Sequence, residues 1–196
     1  MKRIAIIGDI GSGKSYVAKQ FGYPVFNADL EVNKIYKNNK KCFKKLNKIF
    51  PEYIFSFPID KREISIAILR NKKNIKKINK IVHAIVRLKM ENFLKKNKKS
   101  SFVILDIPLL LENKINKKKD ILVFVDADKK KIIQTLKKRL NFNKRIYNKL
   151  KKLQLPLEAK KKRSNFIIKN NFKHNYVKKN VNNILKKLNE KKNSYN

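Results

Sequence analysis

The chain has 196 residues, 42% of them hydrophobic, which suffices for one α/β core with a small inserted module but not for two independent domains. Its 52 Lys and Arg residues against 14 Asp and Glu residues give a net charge of +38, a value that suggests a nucleic acid or an anionic membrane. The basic residues are mostly Lys, spread over the whole chain with Asn and Ile, as expected when an A/T-rich genome biases codon choice. We therefore favour compositional drift and expect no specific nucleic-acid partner.

The cysteine content and the hydropathy pattern indicate where the protein works. Cys42 is the single cysteine, which excludes a disulfide framework and a cysteine-based zinc site and favours a reducing compartment. We expect no signal peptide, because the first apolar run stops at Gly8-Asp9. No segment is apolar for long enough to span a membrane. The sequence thus predicts a cytoplasmic protein without a membrane partner.

The first functional motif is the segment GDIGSGKS at residues 8–15, which matches the phosphate-loop pattern G-x-x-x-x-G-K-S. A β-branched apolar run at residues 3–7 precedes it and predicts a buried strand. Apolar residues at helical spacing follow it. Glycines in such a loop allow backbone N–H groups to point at a phosphate. This context favours a nucleotide site over a glycine turn that binds nothing.

Individual residues of the loop suit particular parts of a nucleotide. Lys14 would neutralise the β- and γ-phosphates, and the hydroxyl of Ser15 would be a Mg²⁺ ligand. The residues expected to bind ATP here are Gly11, Ser12, Gly13, Lys14, Ser15 and Tyr16.

A second short strand is predicted at residues 23–27, and Asn27-Ala28-Asp29 lie at its carboxyl end. Open parallel sheets bind ligands at this edge, so Asp29 is a candidate site residue. Asp29 is also suited to be the N-cap of the helix that follows. Both interpretations can hold together, because a cap at this edge also faces the site.

Residues 32–99 lack glycine and are rich in lysine, which predicts a helical insertion between the second and third strands. Asp60 and Glu63 have the spacing of a capping box. His83, taken alone, is typical of a packed, hydrogen-bonded side chain, and its spacing from His174 suggests no metal pair. The apolar faces are assigned to Phe43, Leu46, Ile49 and Phe50, and then to Ile75, Ile78, Val82, Ile85, Leu88 and Phe93.

Two further strands are predicted in the second half of the chain. Residues 102–106 form an apolar run that ends in Asp106, in the manner of a Walker B acid that helps to hold Mg²⁺. Residues 121–125 form another, and the following Asp126-Ala127-Asp128 caps a helix. This helix is expected to turn Ile132, Ile133 and Leu136 inward.

Residues 139–154 are strongly basic and lack glycine and strand signals, which predicts a helical hairpin rather than a core element. A solvated lysine face is the alternative. Arg139 and Arg145 stand out because Arg is a better planar partner for phosphoryl oxygens than Lys. A fifth strand is predicted at residues 166–168. The final helix has its apolar face at Tyr176, Val177, Val181, Ile184, Leu185 and Leu188.

In this order and spacing the segments resemble the dephospho-CoA kinase family over nearly the whole chain. The phosphate loop is generic, whereas LDIPLLLE at residues 105–112 and the strand FIIKN at residues 166–170 are similar to segments specific to the family. Asn27-Ala28-Asp29 resembles its Asp-Ala-Asp, and residues 134–139 resemble its glutamine–arginine stretch. Gln154-Leu155-Pro156 with Glu158 and Lys160 is similar to its Q-x-P-x-E-x-K segment.

The resemblance implies that the protein is an enzyme that transfers the γ-phosphoryl group of ATP to the ribose 3′-hydroxyl of dephospho-CoA, the last step of coenzyme A synthesis. We predict one α/β P-loop kinase domain, residues 1–196, with a five-stranded parallel sheet. Its core comprises residues 1–30, 100–137 and 155–190. Residues 31–99 form a helical acceptor-binding insertion, and residues 138–154 form a helical lid.

The resemblance also implies roles for single residues. Asp29 would be the general base or the orienting group for the acceptor hydroxyl, Arg139 would act from the lid, and Asn170 would lie near the adenine. Lys14, Asp29 and Arg139 are thus the predicted catalytic residues. Asp29, His83, Leu109 and Glu112 are predicted to bind the acceptor, and Ser15 and Asp106 to hold Mg²⁺.

The chain departs from the family pattern at several positions. Tyr16 stands where Thr is usual, Asn27 replaces the first acid of the pair, and Ala84 follows His83 where Pro is usual. Lys137 lies at an expected Arg position, which leaves open whether Arg139 or Arg145 serves the lid. Two other functions remain as alternatives at this point, another P-loop nucleoside or nucleotide kinase and a basic nucleic-acid-binding ATPase.

Overall fold

The computed structural model describes residues 1–138 and 142–193. Its strands are β1 (Lys2–Gly8), β2 (Val25–Asn27), β3 (Phe102–Asp106), β4 (Ile121–Ala127) and β5 (Phe166–Asn170). They form one sheet in the order β2-β3-β1-β4-β5, with every neighbouring pair parallel. All of β3, and all of β1 after its first residue, is buried, as expected for parallel strands covered on both faces. The predicted five-stranded parallel sheet is confirmed.

The helices connect these strands and extend the chain beyond them. In chain order they are α1 (Lys14–Gln20), α2 (Ala28–Asn38), α3 (Lys40–Ile49), α4 (Lys61–Arg70), α5 (Lys72–Lys96), α6 (Lys129–Lys137), α7 (Lys144–Lys151), α8 (Leu157–Lys162) and α9 (His174–Asn193). No helix within the described ranges combines the length and the apolar character that crossing a bilayer requires.

The chain divides into two compact units. The phosphate-loop unit comprises Met1–Asn27, Asn97–Phe142 and Leu153–Asn196. The helical unit comprises Ala28–Lys96 and Asn143–Lys152. The first unit therefore contains the whole sheet, and the second contains α2 to α5 together with α7.

The core of the phosphate-loop unit is built by strands β1, β3, β4 and β5 with α1 and α9. Its buried strand residues include Ile4, Ile6, Ile104, Val123, Val125 and Ile168. Its helical residues are Val17, Ala18 and Phe21 from α1 and Val177, Val181, Ile184 and Leu188 from α9. The strands are therefore fixed from their buried faces, and their carboxyl ends form a stable base for the loops that follow.

Four apolar residues that were predicted to face the core are exposed instead. They are Ile49, Leu88, Ile133 and Tyr176. In α5 the buried row is Ile78, Val82, Val86 and Met90, in steps of four residues. Leu88 lies two residues from its neighbours in this row, and a helix turns by about 100° per residue, so its side chain emerges on the opposite side. Lysine-rich helices with scattered apolar residues offer several such rows, and packing selects one.

The predicted capping box at the start of α4 is wrong in its second half. Asp60 caps the helix by accepting a hydrogen bond from the Arg62 N–H at 2.8 Å. Glu63 does not reach back to the cap. Its carboxylate is buried and lies 3.2 Å from the Phe55 N–H nitrogen and 3.4 Å from the Ser56 N–H nitrogen. Glu63 thus fixes the preceding loop, because its carboxylate accepts from these two backbone N–H groups instead of from the N–H of the cap residue.

Candidate active site

The phosphate loop joins β1 to α1 and depends on two glycines in the left-handed region. Gly11 has φ 82°, and Gly13 has φ 87° with ψ 22°. A Cβ on Gly11 would lie 2.9 Å from Leu136 Cγ, and a Cβ on Gly13 would collide with the amide of Asn170. Both positions therefore require glycine for conformation and for space. Backbone turned in this way forms a concave row of N–H groups that favours anions.

Lys14 is buried at the start of α1, and its ammonium group lies inside the loop. Its Nζ donates to the backbone carbonyl of Asp9 at 2.6 Å. The N–H of Ser12 donates to the same carbonyl at 3.2 Å. The carboxylate of Asp9 accepts from the Ile10 N–H at 2.8 Å. Asp9 thus sets the position of the positive charge inside the loop.

Ser15 and Asp106 are brought together by a third side chain, Asn27. Asn27 and Asp106 are register partners at the carboxyl ends of β2 and β3. The amide nitrogen of Asn27 donates to Asp106 Oδ2 and lies 3.4 Å from Ser15 Oγ. Because one amide reaches both oxygens, the hydroxyl and the carboxylate lie on the same side of the phosphate loop. The sequence analysis did not predict this role of Asn27 and treated the residue only as a replacement for the first acid of the family's pair.

This arrangement fits Mg²⁺. The ion prefers oxygen ligands, keeps several of its waters, and takes one or two protein ligands beside substrate phosphates. Ser15 and Asp106 supply two such oxygens. No cluster of three or more His, Cys, Asp or Glu residues able to hold a metal occurs within residues 1–138 and 142–193. Two oxygens of this kind match the number of ligands that Mg²⁺ takes from a protein beside substrate phosphates.

Asn170, at the end of β5, supports the phosphate loop through its side-chain amide. Its Nδ2 donates to the Ser12 carbonyl at 2.8 Å, and its Oδ1 accepts from the Phe172 N–H at 2.8 Å. The side chain is buried. Asn170 thus contacts the predicted ATP site through the loop backbone, and its proximity to adenine stays a prediction.

Glu112 and Leu109 lie in the turns that follow β3. Glu112 Oε1 accepts from the Leu155 N–H at 3.0 Å and forms a buried ion pair with Lys160 Nζ at 2.6 Å. Leu109 is half-buried, and its carbonyl accepts from the Asn113 N–H at 3.0 Å. The contact of both residues with the acceptor stays a prediction. The prediction assigned no role to Lys160, although the Q-x-P-x-E-x-K spacing pointed to its segment.

Tyr16 directs its side chain towards the first residue of α9. Its hydroxyl lies 2.7 Å from His174 Nδ1, and the two rings meet edge-on with centroids 6.3 Å apart. The residue that replaces the usual Thr is thus engaged by His174, a pairing that the spacing analysis of the histidines did not anticipate. A contact of Tyr16 with ATP stays a prediction.

Three predicted site residues belong to the helical unit. Asp29 is exposed in the first turn of α2, which begins at Ala28, so the prediction of an N-cap at Asp29 is wrong by two positions. His83 is half-buried on α5, and burial, with a smaller contribution from the charge of Arg87, lowers its pKa below the usual value. Arg145 is exposed on α7. Arg139 lies outside the described residues.

The comparisons with known proteins decide the family. A family model described as "CoaE: Dephospho-CoA kinase" matches residues 2–175. The chain belongs to the dephospho-CoA kinase family. The dephospho-CoA kinase of Wolbachia pipientis wMel is 37% identical over 191 residues, which cover 95% of this chain and 97% of that protein.

Solved structures match this chain in fold. The crystal structure of TT1252 from Thermus thermophilus matches with a TM-score of 0.78 and 26% identity, over 95% of this chain and 97% of the other. Dephospho-CoA kinase from Campylobacter jejuni matches in fold with a TM-score of 0.60 and 20% identity, over 94% and 97%. The predicted family, the α/β P-loop kinase fold and the prediction of an ATP-dependent kinase are confirmed.

Proposed function

We propose that this member of the dephospho-CoA kinase family transfers the γ-phosphoryl group of ATP to the ribose 3′-hydroxyl of dephospho-CoA at the carboxyl edge of its sheet. The observation that supports this site most directly is the amide of Asn27, which joins the Ser15 hydroxyl to the Asp106 carboxylate beside the phosphate loop. A nucleoside triphosphate needs a loop of N–H groups, a cation and a metal position together, and the phosphate loop, Lys14 and the Ser15–Asp106 pair would provide them.

The phosphate loop would bind ATP through its backbone and through one cation. The N–H groups of residues 11–16 would contact the phosphates, with the Gly11 and Gly13 conformations setting their directions. Lys14 would leave the Asp9 carbonyl for the β- and γ-phosphates and stabilise charge that grows in the transition state. Asn170 would hold the loop against the adenosine side of the nucleotide.

Ser15 and Asp106 would hold Mg²⁺ at this site. When bound, the ion would neutralise charge on the phosphate oxygens during transfer. Asn27 would orient both ligands before the nucleotide arrives, because its amide already contacts each of them.

The acceptor side of the reaction rests on Asp29. We infer that its carboxylate orients the ribose 3′-hydroxyl and accepts its proton while the new P–O bond forms and the bond to the leaving ADP breaks. Asp29, His83, Leu109 and Glu112 would bind dephospho-CoA, with Glu112 acting from its ion pair with Lys160. Arg139 or Arg145 would contact the phosphates from the lid.

We propose that the chain works as one P-loop kinase domain. Residues 31–99 would cover the acceptor and residues 138–154 would cover ATP, which would exclude water as a competing acceptor. We propose the cytoplasm as its compartment, since Cys42 is the single cysteine and the chain therefore forms no internal disulfide, as is usual in a reducing environment.

The test is acceptor specificity. ADP formation is measured with dephospho-CoA, with nucleosides and with shikimate as acceptors, and the phosphorylated product is located by ³¹P NMR. We expect turnover with dephospho-CoA to exceed that with the others by orders of magnitude and the new phosphate to be on the 3′-oxygen. A nucleoside that is phosphorylated faster, or a phosphate at another position, would refute the proposal.

The charge of +38 supplies a second test. If the lysines reflect compositional drift, DNA binding occurs only at low salt and disappears near physiological ionic strength, where exposed charges are screened over ~8 Å. Fluorescence anisotropy with labelled DNA at several salt concentrations measures this. Tight, sequence-dependent binding at physiological salt, or ATP turnover stimulated by DNA or RNA, would support a nucleic-acid function instead.

A further inference from the structure

A chain of polar contacts runs from the segment after β3 to the phosphate loop, entirely within the phosphate-loop unit. Glu112 Oε1 pairs with Lys160 Nζ at 2.6 Å. The Gln154 amide, oriented so that donors face acceptors, accepts from Lys160 Nζ at 3.3 Å and donates to Asp9 Oδ1 at 3.0 Å. Glu112 also accepts from the Leu155 N–H at 3.0 Å, so it holds the segment that includes Gln154 at two points.

The charged members of this chain are removed from water. Lys160 is only 1% exposed and ranks among the largest fully buried side chains. The side chain of Glu112 is 9% exposed. Taking two charges out of water is costly, and an apolar pair of similar volume is often as stable or more stable. The pair therefore contributes something other than net stability, and its fixed geometry is the property that an apolar pair would lack.

The chain of contacts ends on the residue that positions Lys14. The Asp9 carboxylate is held by the Ile10 N–H and by Gln154, and the Asp9 carbonyl accepts from Lys14 Nζ. Both hydrogen bonds are accepted by the same carboxylate oxygen, Oδ1. Because the Ile10 N–H belongs to the same peptide unit as the Asp9 carbonyl, its bond to Oδ1 restricts the rotation of that peptide, and Gln154 fixes the position of Oδ1. The carbonyl that receives the ammonium group is fixed in consequence.

We propose that Lys160 and Gln154 are positioning residues for the phosphate loop, which act through Asp9 on the ammonium group of Lys14. This inference rests on the proposed role of Lys14 at the γ-phosphate. Neither residue touches the nucleotide in this account. Lys160 fixes the Gln154 amide, Gln154 fixes the Asp9 carboxylate, and Asp9 fixes the starting position from which Lys14 meets the phosphates.

A positioning role differs from a structural role in its kinetic consequence. A displaced Lys14 would lose charge stabilisation that is greatest in the transition state, so kcat should fall more than KM for ATP rises. Partners that orient metal ligands from outside typically cost 10–100-fold when removed, and we expect an effect at the lower end of that range here. A purely structural role would lower the free energy of unfolding and leave the kcat of the folded fraction unchanged.

The first experiment uses Gln154→Ala. Gln154 is half-buried and uncharged, and Lys160 keeps its ion pair with Glu112 when the Gln154 amide is removed. We expect kcat with dephospho-CoA to fall about tenfold and KM for ATP to stay within about twofold. Gln20→Ala is the matched control, since Gln20 is a half-buried glutamine at the end of α1 in the same unit. A kcat for Gln154→Ala equal to that of the control would overturn the proposal.

The second experiment tests whether the effect passes through Asp9. Gln154→Glu retains an acceptor for Lys160 but sets a carboxylate against the Asp9 carboxylate, so kcat should fall at least as far as in Gln154→Ala. In an Asp9→Ala background, Gln154→Ala should cost less than about twofold, as in a double-mutant cycle of coupled residues. Full kcat in Gln154→Glu, or an undiminished loss in the Asp9→Ala background, would contradict the proposal.

A third measurement separates this inference from the proposed function. Lys14→Ala is assayed beside the Gln154 variants. If Lys14→Ala retains turnover, the proposed site is wrong. If Lys14→Ala is inactive and Gln154→Ala is normal, the site stands and only the positioning role is refuted.

Discussion

The phosphate-loop unit and the helical unit differ in one kind of buried polar contact. Both bury side chains that bond to backbone, as Lys14 and Asn170 do in the phosphate-loop unit, but that unit also contains two buried pairs of opposite charge. In the phosphate-loop unit, opposite charges from distant segments meet, as in Arg3 with Asp120 at 2.8 Å and Lys160 with Glu112 at 2.6 Å. In the helical unit, buried polar side chains bond to backbone. Asn74 Nδ2 donates to the Ala67 carbonyl at 2.9 Å, and the Glu63 carboxylate accepts from two N–H groups of the preceding loop.

The two kinds of contact suit different tasks. An ion pair between distant segments fixes strand ends and loops relative to one another, which a transfer site needs because small displacements of reacting groups are costly. A side chain that forms a hydrogen bond with a nearby backbone group preserves the local shape of a helix end. We therefore expect changes to the charged pairs of the first unit to alter catalysis as well as stability, and changes to the backbone contacts of the second unit to alter stability alone, with proposed site residues such as Asp29 as exceptions.

The largest effect is expected for Lys14→Ala in the phosphate-loop unit. Turnover should fall by about 10³–10⁵-fold, the size known for a cation that stabilises a transferring phosphoryl group. The free energy of unfolding should change by only about 1 kcal/mol, the value of the lost bond to the Asp9 carbonyl. Steady-state kinetics and urea unfolding measure the two. Turnover within a few-fold of wild type would contradict the assignment of the ATP site.

The exception in the helical unit is tested by Asp29→Asn. An amide can orient a hydroxyl but hardly accepts its proton, so turnover should fall by about 10²–10⁴-fold with little change in ATP affinity. Glu31→Gln is the control, because Glu31 is also acidic, lies in the same first turn and is ion-paired with Lys34 and Lys89. Kinetics and calorimetric ATP binding should separate the two. Near-normal turnover in Asp29→Asn would remove Asp29 from the site.

Lys160→Met and Lys149→Met compare a buried ion pair in the first unit with backbone contacts of a half-buried lysine in the second. Lys160→Met leaves the Glu112 carboxylate buried without its partner and should cost about 3–5 kcal/mol of unfolding free energy. Lys149 donates to the carbonyls of Ile68 and Leu69 at 3.0 Å, and its loss should cost about 2 kcal/mol. Urea unfolding measures both. An equal or reversed order would break the comparison between the units.

The smallest effect is expected for the pH dependence at His83. Burial, and then the charge of Arg87, lower the pKa of His83 in the folded state, so the unfolded chain binds a proton first as the pH falls. Stability should therefore decline as the pH falls below about 6.5 and level off below the folded pKa. Unfolding of His83→Gln between pH 5 and pH 7.5 should show a flatter profile than wild type. An unchanged profile would show that His83 titrates normally.

Sequence patterns predicted the strands, the phosphate loop and a helix cap, because these features depend mainly on residues that are neighbours in the chain. Short apolar runs predicted all five strands. The signal is strongest for β1 and β3, because strands buried on both faces must be apolar along almost their whole length, whereas the edge strands β2 and β5 are only partly buried. The loop at residues 8–15 required its glycines for conformation, and the structure has Gly11 and Gly13 in the left-handed region. Asp128 caps α6 as predicted, with its carboxylate 3.0 Å from the Lys131 N–H nitrogen.

Long-range pairing could not be predicted in the same way. Lys160 has many lysine neighbours in sequence, and only the packing of α8 near Glu112 selects it for burial. Glu63 has the spacing of a cap residue, but two loop donors compete for its carboxylate. Leu88 fits an apolar row that the fold does not use. In each case the deciding partner is a contact that no spacing in the sequence reveals.

The central claim is that Asp29 meets the acceptor hydroxyl that receives the phosphoryl group. A crystal structure with dephospho-CoA and a non-hydrolysable ATP analogue tests it most directly. We expect a distance of about 2.6–3.2 Å between the ribose 3′-oxygen and an Asp29 carboxylate oxygen. A 3′-oxygen that contacts a different acid, with Asp29 turned to solvent, would show that Asp29 is not the acceptor-side base.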